Sequence, residues 1–156
     1  MYSFESNAED VFRDLLRSVE RAENGMQDNL RIAAHDALAI IADRVQQSGQ
    51  GINSRLVTKA VIRSGVYSRQ HSKRRSERGR QTNHVDLTLE GDLMRNWDVL
   101  SVSPKEAIVG FRDDRSADIA GYQEAYYGQP IFDLSDKEQS QIVDGIAERL
   151  IDDLRQ

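Results

Sequence analysis

The chain has 156 residues, of which 38% are apolar and 30% charged, and its net charge is −5. This length fits one domain with one hydrophobic core, and the sequence lacks the run of about 18 uncharged apolar residues that would span a membrane. With no cysteine and only three histidines, disulfides, thiolate nucleophiles and cysteine-based zinc sites are excluded.

The charges are distributed unevenly along the chain. Residues 63–84 contain seven Lys or Arg against one acid, Glu77, which gives a net charge of +6. Residues 85–156 contain seven Lys or Arg against sixteen acids, a net charge of −9, and residues 1–62 contain seven against nine. A basic strip therefore interrupts an otherwise acidic protein.

Apolar residues recur at helical spacing over residues 8–47, with charged residues on the opposite face. The apolar series is Val11, Leu15, Val19, Ala22, Met26, Leu30, Ala34, Leu38, Ile41 and Val45. Asn24-Gly25 lies in the middle, and a glycine costs a helix about 1 kcal/mol relative to alanine. The pattern predicts one long helix, or two helices joined at this point, ending at Gly49.

Residues 52–84 show little periodicity and contain the basic strip. We expect this segment to be a long exposed loop or arm. Fully extended, the 22 residues of the basic strip reach about 70 Å. Such an arm contacts a neighbouring molecule more easily than it packs against its own domain.

From residue 85 the spacing of apolar residues changes to every second position. Val85, Leu87 and Leu89 alternate with polar residues, which predicts a strand ending at residues 91–92. This alternation places His84 and Asp86 on the solvent face. A short helical turn is expected at residues 93–96.

The remaining elements complete an α+β fold with a small antiparallel sheet. Residues 97–102 and 107–111 are predicted to form a hairpin through the turn at residues 103–105, and residues 116–127 a helix. Ser135 and Glu138 have the spacing of a capping box. They predict a C-terminal helix whose apolar face is Ile142, Ile146, Leu150 and Leu154.

Candidate catalytic groups are few. His84 and Asp86, with further acids at Asp92, Asp113 and Asp114, are the residue types that hold a metal ion in a nuclease. Charged residues on the exposed face of a strand are more simply solvated side chains, and the sequence has no glycine-rich phosphate loop and no G-x-S-x-G or H-E-x-x-H motif. We therefore expect no catalytic residue, metal or cofactor.

The basic strip has three interpretations: phosphate binding in a nucleic-acid-binding module, docking on an acidic surface of an identical neighbour, or a solvated loop. Docking is slightly favoured, because Tyr67 is the only aromatic residue available for base stacking. The predicted interface residues in this strip are Arg69, Arg74, Arg75, Arg78 and Arg80.

Two groups of aromatic residues have different expected roles. Trp97, Phe111 and Phe132 are predicted to fill the core against the helices. Tyr122, Tyr126 and Tyr127 lie on and around one helix, and a small core has no room for all three. At least one of these tyrosines is a candidate interface contact.

The order of several short motifs resembles that of a known group of proteins. A basic stretch ends in Gly79-Arg80-Gln81 and is followed by VDLTL with GDL at residues 85–93. Gly110-Phe111 comes next, then a helix leading to Tyr127-Gly128, and then IFDLS at residues 131–135 before the last helix. This order, over residues 67–140, is similar to that of the tail-completion and virion-morphogenesis proteins of tailed bacteriophages, although Glu90 stands where those proteins usually have threonine or serine.

The resemblance implies a structural protein of the phage neck, such as a head-tail connector, tail-completion or tail-terminator protein. Its subunit is expected to be a small antiparallel sheet flanked by helices, and to form a homo-oligomeric ring between portal and tail. The implied partners are other copies of the chain and virion proteins such as portal, adaptor or tail-tube subunits, with contact to packaged DNA possible. The implied location is the virion, and the host cytoplasm during assembly.

Overall fold

A computed structural model describes residues 7–155. In this range the chain forms a long helix, two small antiparallel hairpins and four further helices. In chain order these are α1 (Ala8–Ser48), β1 (Arg63–Ser64), β2 (Tyr67–Ser68), α2 (Arg69–Glu77), α3 (Asp92–Arg95), β3 (Trp97–Val102), β4 (Ala107–Phe111), α4 (Asp114–Tyr127) and α5 (Asp136–Arg155). The predicted α+β class is confirmed.

Helix α1 is one continuous helix of 41 residues, so the alternative of two helices is wrong. Gly25 does not break it because one glycine costs only about 1 kcal/mol, and a glycine leaves room for the end of α5. A Cβ atom at residue 25 would lie 3.0 Å from the Asp153 carboxylate. The helix ends as predicted at Gly49, which adopts the left-handed conformation at φ 63°.

Helix α5 packs antiparallel along the C-terminal part of α1. At one end Arg44 forms an ion pair with Glu138 and donates to the carbonyl oxygens of Ile131 and Asp133 at 2.7 and 2.8 Å. At the other end the Asn29 amide donates to Asp153 at 3.2 Å. The Ser135–Glu138 capping box forms as predicted, with the Ser135 hydroxyl and backbone N–H both donating to the Glu138 carboxylate.

The predicted hairpin of β3 and β4 forms, and it lies against α1. Its register pairs Trp97 with Phe111, and these two rings meet Phe132 in a three-ring cluster with centroid separations of 4.9 to 5.6 Å. The three rings thus pack together, but each is half-buried and none belongs to the buried core that they were predicted to fill. Three alanines of α1, Ala33, Ala34 and Ala37, line the same hollow as Trp97 and Phe132, together with Leu30 and Ile41.

The main core lies at the C-terminal end of α1, where distant parts of the chain converge. Its buried side chains are Val45, Leu56, Val66, Tyr67, Val85 and Ile131. Most of these residues come from loops, so the loops following α1 and preceding α5 are fixed by burial. No helix among residues 7–155 is long and apolar enough to cross a membrane.

The segment 52–84 is not an extended arm, contrary to expectation. It contains the β1–β2 hairpin and helix α2, whose first turn is capped by the Ser68 hydroxyl. Leu56 is fully buried, and Val66 and Tyr67 belong to the core. These three buried residues anchor the segment to the domain.

The predicted strand at residues 85–89 does not form. Leu87 has φ 52°, a backbone conformation that a leucine rarely adopts, and the Asp86 carboxylate accepts from the Thr88 backbone N–H at 2.9 Å. In this local turn the Thr88 backbone N–H is bonded to a side chain, whereas in a strand it would donate to a neighbouring strand. Val85 and Asp86 are both buried, so the alternation does not separate a buried from a solvent face.

The Arg44–Glu138 pair gives the fold a pH-dependent contribution. Burial acts to raise the pKa of Glu138, but the hydrogen bonds from Ser135 and the Arg44 guanidinium outweigh it and hold this pKa below its ordinary value. A carboxyl group whose pKa is lowered by folding stabilises the fold above its ordinary pKa. It loses that contribution as the pH falls through the folded-state pKa.

We predict that Glu138→Gln lowers the free energy of unfolding by about 1–3 kcal/mol at neutral pH. The difference from wild type should shrink as the pH falls below the ordinary glutamate pKa, because wild type then also lacks the carboxylate. Urea unfolding from pH 7 downward measures this, with the exposed Glu20→Gln as control. A difference that does not change with pH would contradict the assignment.

Candidate assembly surfaces

Helix α2 and its flanks present a cluster of exposed cations, named here the basic surface. It consists of Arg63, Arg69, Lys73, Arg74 and Arg80. Lys73 reaches Glu77 at 3.9 Å, whereas the other four form no ion pair with any residue of the described chain. Three of the five arginines predicted as interface residues, Arg69, Arg74 and Arg80, therefore lie at the surface and are free to bind a partner.

Arg75 is the main departure from the predicted interface. Its side chain is 1% exposed, and all three guanidinium nitrogens are bonded. Nε donates to the Gln81 carbonyl at 2.8 Å, Nη1 to the Thr88 carbonyl at 2.9 Å and Nη2 to Asp86 at 2.8 Å. The guanidinium also stacks on the Tyr67 ring, 4.7 Å from its centroid. Arg75 thus holds the fold together and does not face a partner.

The surroundings of Arg75 show the same burial. The pKa of Tyr67 is raised to about 12 by burial and by the charge of Asp86. The pKa of His71 is lowered by burial and by the charges of Arg75 and Arg74. Outside this buried cluster, Arg78 forms an ion pair with Glu90 at the surface, so a second predicted interface arginine is also occupied within the chain.

The three tyrosines of α4 have different environments. Tyr122 is 72% exposed and is the best candidate for a contact with a partner. The Tyr126 hydroxyl is bonded to the Thr58 hydroxyl at 2.7 Å and accepts from the Lys59 backbone N–H at 2.9 Å. Tyr127 packs against the core, and burial raises its pKa to about 12. Tyr127 therefore has a structural role, whereas Tyr126 is bonded within the chain and still 41% exposed.

Helix α5 presents two parallel rows of exposed side chains on the side away from α1, named here the α5 outer face. The apolar row is Val143, Ala147 and Ile151, and the acidic row is Asp144, Glu148 and Asp152. None of the three acids forms an ion pair within the described residues. The whole helix has six acids against three cations, a net charge of −3.

The N-terminal part of α1 carries an exposed apolar stripe that the sequence analysis did not identify as a surface. Its members are Val11, Phe12, Leu15, Leu16 and Val19, each 40–63% exposed. The first buried residue of α1 is Ala22, and α5 ends beside Gly25. The sequence contained a signal for this surface in Phe12 and Leu16. They lie next to Val11 and Leu15 and make the apolar face of the helix wider than one packing partner needs.

His84 and Asp86 are not a solvent-facing pair. Asp86 is buried in the ion pair with Arg75, and the His84 ring Nε2 lies 2.6 Å from the Gln46 carbonyl oxygen. The strand that was predicted to expose them is absent, which explains the error. Over residues 7–155, no three His, Asp or Glu side chains are grouped so as to hold a metal ion.

Comparison with known proteins gave no match to a family model, to a curated protein or to a solved structure.

The roles of adjacent arginines in α2 can be separated experimentally. We predict that Arg75→Met lowers the free energy of unfolding by about 3–5 kcal/mol, because it leaves Asp86 buried and without its counter-charge. Arg74→Met, one residue away but exposed, should change it by less than about 0.5 kcal/mol. Chemical unfolding followed by circular dichroism compares the two, and equal effects would contradict the burial of Arg75.

Proposed function

We propose that this protein is a structural component of the neck of a tailed bacteriophage, and that it functions by assembling with copies of itself and with neighbouring virion proteins. The proposed assembly is a homo-oligomeric ring between portal and tail. The order of motifs over residues 67–140 supports the phage context, and the exposed surfaces support the assembly.

The observation that carries this proposal is the apolar stripe on α1. The 14 residues 8–21 extend about 21 Å beyond the first buried position, and five large apolar side chains lie exposed along them. Proteins that act as monomers rarely leave a contiguous apolar surface of this kind in water. The stripe has the character of an interface that another subunit covers.

The position of the stripe favours contact with a neighbouring subunit. It lies beyond the end of α5, and the charged residues on its opposite side form local pairs, Arg13 with Asp10 and Arg17 with Asp14, each at 3.3 Å. Because the charged side is paired within the helix, the apolar side is the one available for contact with another subunit. Its coverage by a neighbour would remove apolar area from water without breaking any ion pair of the free protein.

Imaging of intact particles tests the proposed location. Electron microscopy of virions, with this chain tagged at its C-terminus, should show symmetric density for several copies at the junction of head and tail. Density for one asymmetric copy, or a tag located elsewhere in the particle, would contradict the neck assignment.

The apolar stripe should be needed for assembly and unnecessary for folding. We predict that Phe12→Ser combined with Leu16→Ser abolishes incorporation into particles, because it removes about 3 kcal/mol or more of apolar burial per interface. The melting temperature of the isolated protein should stay within a few degrees, since both side chains are exposed in it.

The matched control is Arg13→Ser combined with Arg17→Ser, which changes the opposite side of the same segment. Quantitative mass spectrometry of purified particles measures incorporation. Normal incorporation of the Phe12/Leu16 variant would show that the stripe has no role in assembly.

A further inference from the structure

We infer that the basic surface of one copy binds the α5 outer face of the next copy, so that the protein assembles head to tail. This inference rests on the proposed self-assembly and assigns two surfaces to the contact between copies. Neither surface shares a residue with the apolar stripe of α1.

The acidic row of α5 is unfavourable in the isolated chain. Asp144, Glu148 and Asp152 follow one another at four-residue intervals, and like charges at this spacing repel each other on a helix. All three are exposed, and no cation of the described chain pairs with them. A partner that supplies cations along this row would relieve the repulsion.

The basic surface is the complementary feature. Arg69 and Lys73 have the same four-residue spacing on α2, Arg74 is the next residue of the helix, and Arg80 follows its end; all four are exposed. Arg75 and Arg78 are held within the chain by Asp86 and Glu90. The cations that remain for a partner are thus the exposed ones of α2 and its flanks.

The apolar parts of the two surfaces also match. Val61 is 98% and Ile62 67% exposed, and they lie beside the basic surface, because the Ile62 carbonyl accepts from the Arg69 backbone N–H at 3.2 Å. On α5, Val143 and Ile151 are 60% and 45% exposed next to the acidic row. Each surface therefore combines an apolar part with charges of one sign, an arrangement found in specific interfaces.

Contact between two different surfaces of identical chains is heterologous. Repetition of such a contact generates a closed ring if the rotation between subunits closes, and an open filament if it does not. Every copy then uses both surfaces except at the ends of a filament. This geometry agrees with the ring proposed above.

Duplex DNA is the competing ligand for the basic surface, and two observations favour the protein partner. The net charge of the chain is −5, which opposes approach to phosphate outside the basic surface. Tyr67, the aromatic residue nearest to the cations in sequence, is buried beneath Arg75 and cannot stack on a base.

Charge reversal tests the pairing. One variant carries Arg69→Glu, Lys73→Glu and Arg74→Glu, a second carries Asp144→Arg, Glu148→Arg and Asp152→Arg, and a third carries all six changes. A control with Glu106→Arg, Asp114→Arg and Asp118→Arg has the same charge change as the second variant at exposed positions elsewhere. Circular dichroism verifies folding, and sedimentation velocity at low ionic strength measures association.

Wild type and the control should associate, and each triple variant alone should associate at least about tenfold more weakly because like charges then face each other. Mixing the two triple variants should restore association, since each reversed surface meets a reversed partner. The sixfold variant should also associate. Association of either triple variant at wild-type strength, or failure of the mixture to recover, would overturn the pairing.

The result also separates this inference from the proposed function. If wild type associates and the triple variants do so equally, the pairing is wrong and self-assembly stands. If wild type stays monomeric at every concentration, both are overturned. If the α2 variant assembles normally but loses salt-sensitive binding to a mixed-sequence DNA duplex, the basic surface serves nucleic acid.

Discussion

The structure is governed by the length of α1. With 41 residues it is about 60 Å long, whereas α5, which packs along it, has 20 residues and is about 30 Å long. The hairpin of β3 and β4 packs on a different side of the same C-terminal part of α1. About two thirds of α1, residues 22–48, therefore forms the spine of the domain, and residues 8–21 extend from it with their apolar side exposed.

Arg75 has a similar organising role on the opposite side of the main core. By binding Asp86 and two carbonyl oxygens, it draws residues 81–88 against α2 and fixes the basic strip as a folded unit. A buried charge must be neutralised and fully hydrogen-bonded to be tolerated, and Arg75 meets both conditions. The same network holds Asp86 inside and gives Leu87 its unusual backbone conformation.

These two constraints divide the charged and apolar residues into those used within the subunit and those left at the surface. The surface set has a simple composition: an apolar stripe on α1, cations with Val61 and Ile62 near α2, and acids with Val143 and Ile151 on α5. Each lies on or beside a helix. Such surfaces suit a protein whose proposed work is to hold neighbouring subunits in fixed positions, because a preorganised surface loses little conformational entropy when it binds.

The sequence by itself determined the elements whose signals are local: the β3–β4 hairpin, and the last helix, whose start is set by Ser135 and Glu138 only three residues apart. The tertiary structure alone decided that Arg75 is buried while Arg74 is exposed, and that Phe12 and Leu16 have no covering partner within the described chain. Local signals depend on neighbours along the backbone, which a sequence displays directly. Burial depends on which distant segments pack against a given side chain. Here α5 is too short to cover Phe12 and Leu16, and Tyr67 in the core provides the ring on which Arg75 stacks.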